Sequence, residues 1–291
     1  MYYQRAFIMK PLRLVAAGAG ALVAAGVASV IFGSLSTERE IADFQTRVTE
    51  IARSTPAPAF EPERIAGLPE PVQRYFAFVF IGPVPNHTSV HLKATGQFRR
   101  PLTEGFNPTT AEQTIAVGTP ALVFSATTPV LPGIWARAYD FFADGRMEMK
   151  ARIMSTLTVV DERETPELNR ISLRRWLLES ALYPQALLPG GPVTWTAIDS
   201  TSARATVAAN GLTASMVAHF DTQGRMTAMT AEEDGDLTTP YHGSGEDVAR
   251  GDYRAVDNMM IPHEFTISRA AGGEVYPFWK GSITAVDFSA E

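Results

Sequence analysis

Beyond residue 90 the chain alternates apolar and polar residues over long stretches. Val90, Leu92, Ala94, Gly96 and Phe98 fall on one side of an extended strand, and His91, Lys93, Thr95, Gln97 and Arg99 on the other. Met147, Met149, Ala151 and Ile153 oppose Glu148, Lys150 and Arg152 in the same way. Leu212, Ala214, Met216, Ala218 and Phe220 oppose Thr213, Ser215, Val217 and His219. Successive strand side chains point to opposite faces, so this pattern predicts antiparallel sheet with one buried and one wet face. Asp144-Gly145 separates the runs 134–142 and 147–153, Asn210-Gly211 separates 203–208 from 212–220, and Gly272-Gly273 precedes the last run. Such dipeptides supply the positive φ angles of tight hairpin turns.

Two stretches change to a helical period. In residues 68–80, Val72, Tyr75, Phe76 and Val79 form one apolar stripe, with prolines in the first turn where a missing N–H costs little. In residues 172–183, Leu173, Trp176, Leu177, Ala181 and Leu182 repeat before Pro184 stops the helix. About ten strands and two core helices remain. The expectation is an α+β fold: a large curved antiparallel sheet, open or half-barrel, with two apolar helices packed on one face.

The N-terminal part is different. Residues 14–35 carry no charge and as a helix would span about 33 Å, enough to cross a bilayer. Arg5, Lys10 and Arg13 precede them, so the positive-inside rule places residues 1–13 in the cytoplasm and everything after residue 35 outside, at the inner membrane of a cell with a periplasm. The segment is either a retained single-pass anchor or a cleaved signal peptide, with Gly26-Val27-Ala28 as a cleavage site; both export the rest. Residues 36–64 read as an amphipathic helix, with Ile41, Phe44, Val48 and Ile51 on one face, and a proline-rich spacer. The folded domain is expected over residues 65–291.

Composition narrows the function classes. With 45% hydrophobic and 19% charged residues the chain can bury a full core. Subtracting the three N-terminal cations from the net charge of −6 leaves −9 on the remainder, which repels nucleic-acid backbones. No cysteine is present, which excludes disulfides and thiolate chemistry. The apparent motifs read as structure. Gly18-Ala19-Gly20 lies inside the membrane segment and lacks the third glycine of a dinucleotide fingerprint. His87 and His91 lack the glutamate of a metalloprotease helix. His242-Gly243-Ser244-Gly245 is not a nucleophile elbow. Residues 232–236 lack the spaced oxygen ligands of a calcium loop. His263 and Glu264, adjacent on a strand, point to opposite faces. No catalytic residue, cofactor or metal is therefore expected.

Glu179 stands out as a carboxylate in an otherwise apolar helix, one turn after Arg175, with which it can pair at i, i+4. It is either a buried structural group or the orienting group of a ligand cavity. Trp135, Trp176, Trp195, Trp279, Phe141, Phe142, Met147, Met149 and Met216 either fill an ordinary core or present an adaptable apolar surface. On the ligand reading, the lining residues are Glu179, Arg175, Trp176, Tyr139 and Trp195.

The order of several motifs resembles a known family. Leu68-Pro-Glu-Pro-Val-Gln-Arg-Tyr opens the domain, Tyr139-Asp140 and Gly145-Arg-Met-Glu-Met-Lys follow, and then come residues 175–188, Trp195-Thr-Ala-Ile-Asp, Phe220-Asp-Thr-Gln-Gly and Ile261-Pro262. From about Leu68 to the C-terminus this is similar to an uncharacterised bacterial domain-of-unknown-function family, numbered 6544, whose function is not established and which supplies no catalytic residues. The architecture also resembles the bacterial lipoprotein-carrier fold, in which acyl chains lie between sheet and helices. Three functions are weighed: non-enzymatic binding of an apolar or lipid-like ligand in a sheet–helix cleft; an envelope interaction or scaffold module using a sheet edge or the helix of residues 38–54; and a hydrolase using carboxylates such as Asp140 or Glu179.

Overall fold

In the computed structural model, which describes residues 5–100, 103–235, 237 and 245–290, and side chains from residue 18 onward, the chain builds one antiparallel sheet. A first meander contains β1 (His87–Phe98), β2 (Asn107–Ala116), β3 (Leu122–Leu131), β4 (Ile134–Ala143), β5 (Arg146–Ile153) and β6 (Leu157–Arg163). A second contains β7 (Val193–Ala197), β8 (Ser202–Ala209), β9 (Leu212–Phe220), β10 (Met226–Thr230), β11 (Asp247–Val256), β12 (Met259–Ala271) and β13 (Glu274–Ala290). β1 pairs with β13 at the centre, so β6 and β7 are the outer edges. The described residues thus hold 13 strands, not about ten. Part of the excess lies in β7 and β10, of five residues each, too short to display a period.

The expected turns are present. Asp144 (φ 53°) and Gly145 (φ 75°) link β4 to β5, and Asn210 (φ 52°) and Gly211 (φ 76°) link β8 to β9. A Cβ added to Gly145 would lie 2.8 Å from that of Asn210, so these two turns, from opposite meanders, touch. The sheet is therefore open and curled, and its edge strands do not pair.

The chain travels from edge β6 to edge β7 through helix α4 (Pro166–Glu179) and two short 3-10 turns, Ser180–Leu182 and Pro184–Leu187. Thr165 caps α4, its Oγ1 accepting from Leu168 N at 3.1 Å, and Pro166 occupies the first turn. These start signals lie six residues before the apolar stripe at Ser172 that marked the helix in the sequence. α4 packs against β4, β5, β8 and β9, inside the curl. Three more helices precede the sheet: α1 (Arg5–Ser54), α2 (Pro62–Ile65) and α3 (Glu70–Val79). Val72, Tyr75, Phe76 and Val79 of α3 join the inner core, as the stripe predicted.

The apolar segment and the amphipathic helix are one uninterrupted helix, α1, because no proline or glycine breaks residues 36–40. Its later half lies on the outer sheet face across β1 to β4, burying Ile41 and packing Val48 and Ala52 against Ala116, Val123 and Phe141. That apolar face is thus covered by the protein's own sheet, which removes it as the scaffold surface weighed above. The proline-rich residues are also held down: a Cβ on Gly118 would overlap the carbonyls of Thr55 and Pro56, so only glycine admits the chain there.

Candidate functional site

Three charged residues of α4 are buried, which corrects the expectation of an apolar helix. Each is neutralised by the sheet. Arg174 Nη2 donates to Glu246 Oε1 at 2.6 Å, and Arg269 Nε donates to Glu246 Oε2 at 2.7 Å. Arg175 donates to Asp140 of β4. Arg250 of β11 donates to Glu179 at 2.7 Å. The expected Arg175–Glu179 pair does not form. A helical i, i+4 pair contributes only about 0.2–0.5 kcal/mol, whereas an unpaired charge at Asp140 or Arg250 in this interior would cost several. The partners on the sheet therefore win.

Around these charges the interface is filled. Trp176 is fully buried and its Nε1 donates to Ala116 O at 2.9 Å. The Tyr183 hydroxyl donates to Trp176 O, and burial pushes its pKa well up, so it remains a donor. Trp195 lies near the β7 edge, its Nε1 donating to Leu187 O at 3.1 Å. Of the five residues assigned to a ligand site, Arg175, Trp176 and Glu179 share α4 but face different partners. Trp195 stands at the edge. Tyr139 projects from the opposite face of the sheet, since it adjoins the inward-facing Asp140. Of the other aromatic and Met candidates, Phe142, Met147, Met216 and Trp279 belong to the inner core, while Phe141 packs under α1. Asp140 and Glu179, the hydrolase candidates, are each buried against an arginine.

Tyr139 instead belongs to the seat of α1. Its hydroxyl lies 2.8 Å from Glu40 and 2.9 Å from Glu148. Lys150 donates to both carboxylates, Arg152 reaches Glu40 and Thr37, and Arg137 makes a two-pronged pair with Glu38. Burial alone would raise the Glu40 and Glu148 carboxyls, but the hydrogen bonds from Tyr139 and Lys150 and the adjacent cations outweigh it and hold both below the ordinary value of 4.5. The stabilisation these carboxylates lend is present above that value and is lost as pH falls through their lowered values. Acidification through those lowered values should therefore release residues 37–52 of α1 from the sheet, read as hydrogen-exchange protection lost there before the inner core. Protection in acid equal to that at neutral pH would show that these groups do not hold the helix.

The open space lies elsewhere. A groove of about 930 Å³ crosses β3, β2, β1, β13, β12 and β11 on the outer face. Its walls are short side chains such as Thr95, Thr110, Thr127, Thr266 and Ser282, with Glu264 and Lys280 among them. Its floor is backbone. Thr109, Gly96, Gly281, Phe265 and Arg250 form one transverse row by register, and their side chains, where they have them, belong to the other face. A Cβ at Gly96 would overlap Lys280 O, and one at Gly281 would overlap Thr95 O, so β1 and β13 approach as only two glycines permit. A smaller cavity of about 430 Å³ continues toward α1, sharing Thr95, Thr110 and Thr127 and adding Glu38 and Arg137. Sequence reading missed this site. Its signal was Gly96 and Gly281, two glycines inside strands.

The family model described as "Family of unknown function (DUF6920)" matches residues 66–288. The chain belongs to the DUF6920 family. The number 6544 drawn from the motif resemblance is thereby replaced, while the reading of a family of unknown function agrees. The DUF6920 domain is similar to a solved LolA superfamily protein, NE2245 from Nitrosomonas europaea, at 7% identity and a TM-score of 0.34, covering 70% of this chain and 87% of that one. It is also similar to a beta-barrel-like protein of domain of unknown function DUF1849 from Brucella abortus, at 11% identity and a TM-score of 0.26, covering 69% of this chain and 98% of that one. No curated protein matches the chain. Among the described residues of this DUF6920 chain, no group of three or more His, Asp or Glu side chains is arranged to hold a metal ion.

Proposed function

We propose that this DUF6920 protein is a single-pass membrane protein whose domain lies outside the cytoplasm and binds an amphipathic, lipid-like ligand without chemical conversion. The observation that carries the reading is the groove on the outer sheet face, which the smaller cavity continues toward α1. It is large enough for a small ligand, and it is floored by backbone carbonyl and amide groups. Its walls mix hydroxyls and one charge of each sign with apolar Pro108, Pro129 and Ala249. Such a lining suits a molecule with a polar head and an apolar body. The membrane part rests on the exposed, apolar stretch of α1 and the three cations ahead of it. The sheet–helix cleft is the less favoured seat, because Trp176, Leu177 and Tyr183 already fill it.

The test is native mass spectrometry of full-length protein extracted gently from its membrane. Thr110→Trp and Ser282→Trp point into the groove from exposed positions and should leave the fold intact. Wild-type protein is expected to carry a co-purifying mass of lipid size that both variants lose. Wild-type protein without bound mass, or variants that keep it, would overturn the assignment to the groove.

A further inference from the structure

The uncharged run of α1 extends to Leu35, but the helix meets the folded domain before that run ends. A Cβ at Gly33 would come 2.5 Å from the carbonyl oxygen of Ser155 and 3.1 Å from the Thr156 methyl, so the turn between β5 and β6 is pressed against the helix at this glycine. Gly33 precedes Leu35 by two residues, about 3 Å of helical rise. A spanning helix leaves the hydrocarbon near the end of its uncharged run. The β5–β6 turn therefore stands level with the edge of the hydrocarbon.

The β3–β4 turn shares that end of the meander, and Met154 N donates to Trp135 O at 2.8 Å, tying the two hairpins together. Both tips are apolar. Leu131 is 61% exposed and Leu157 63%, with Val130 beside them and Trp135 half-buried behind. Isolated exposed apolar residues are ordinary, but a cluster of them indicates a covered surface. Here the cluster adjoins the exposed apolar part of α1, where Phe32 is 75% exposed and Leu35 56%. One helical turn beyond Leu35 the pattern reverses, and Glu38 and Glu40 engage Arg137, Lys150 and Arg152.

We propose that the β3–β4 and β5–β6 hairpin tips are seated in the same bilayer that α1 crosses, with Val130, Leu131 and Leu157 among the acyl chains. The inference rests on the membrane-spanning reading of α1. Its occupant is the lipid bilayer, chosen because the apolar tips continue the apolar surface of the span at the same height. The consequence is functional. The domain does not swing on a tether but stands on the membrane at a fixed tilt, and the cavity lined by Glu38 and Arg137 opens at the level of the lipid headgroups. A ligand passes between bilayer and groove without crossing bulk water.

The chain has no cysteine, so Leu131→Cys, Leu157→Cys, Val23→Cys and Asp144→Cys each create a unique labelling site. Full-length variants carrying an environment-sensitive fluorophore are reconstituted into phosphatidylcholine–phosphatidylglycerol vesicles and quenched with brominated lipid or with iodide. Labels on Leu131→Cys and Leu157→Cys are expected to behave like that on Val23→Cys: quenched severalfold more by brominated lipid than the label on Asp144→Cys, and shielded from iodide. If the Val23→Cys label is in lipid while the two hairpin labels are open to iodide, the seated tips are disproved and the span stands. If the Val23→Cys label is itself open to iodide, the spanning reading fails and this inference with it.

Discussion

Replacing Glu246 by leucine is expected to cost about 3–5 kcal/mol or more, a large part of the roughly 5–15 kcal/mol that holds a domain folded. Glu246 is 2% exposed and is shared by Arg174 and Arg269, while the backbone N–H of Ala270 also donates to it at 3.2 Å. Its loss removes the carboxylate that two buried guanidinium groups share. Burial already pulls the Arg174 pKa down, and the Glu246 carboxylate is the main influence opposing that pull. Urea denaturation of the full chain in detergent, followed by tryptophan fluorescence, measures the effect. Replacing the three charges together, by Arg174→Met, Glu246→Leu and Arg269→Met, should recover part of the loss, because neither arginine then needs the Glu246 carboxylate. A loss below about 1 kcal/mol for Glu246→Leu would show that this cluster does not hold α4 in place.

Gly281→Val should be comparably severe, at about 3 kcal/mol or more, the upper end for overpacking. The added Cβ overlaps Thr95 O and Gly96 Cα, both of them backbone, so no side-chain rotation relieves it. The strands must separate at the β1–β13 pairing, which joins the two meanders into one sheet. Gly251→Ala is the control. It lies in the same groove, but its Cβ would meet nothing nearer than the flexible Glu264 carboxylate at 3.5 Å, so no loss is expected. Denaturation midpoints of the two variants against wild type test the contrast. Equal, small effects would show that the strand approach at the glycine pair is not required.

The α4 charges show how the sequence misleads in one direction. Reading Arg175 and Glu179 together used the only geometry a sequence offers, the spacing along one helix. The partners they take are 35 and 71 residues away. The groove shows the complementary failure. Thr95, Thr110, Thr266 and Ser282 are ordinary wet-face residues when each strand is read alone, and they become walls only once six strands lie side by side. Tyr139 was misplaced for a simpler reason: its neighbour Asp140 faces inward, and alternation assigns the two to opposite faces without saying which face is which.

Local periodicity determined much of this protein by itself. Alternation gave the wet and buried faces of β1 and β9, the Asp-Gly, Asn-Gly and Gly-Gly turns gave three hairpins, the stripe of Val72, Tyr75, Phe76 and Val79 gave α3, and the uncharged run gave the apolar part of α1. These features depend on neighbours within a few residues, where chain geometry fixes what touches. Only the tertiary structure decided that β1 pairs with β13, that α4 fills the curl, that α1 is one helix seated on the outer face, and that the open groove lies opposite the expected cleft. Those outcomes depend on residues up to about 200 positions apart, whose pairing is set by burial, charge compensation and close backbone approach summed over the whole chain, not by any local spacing.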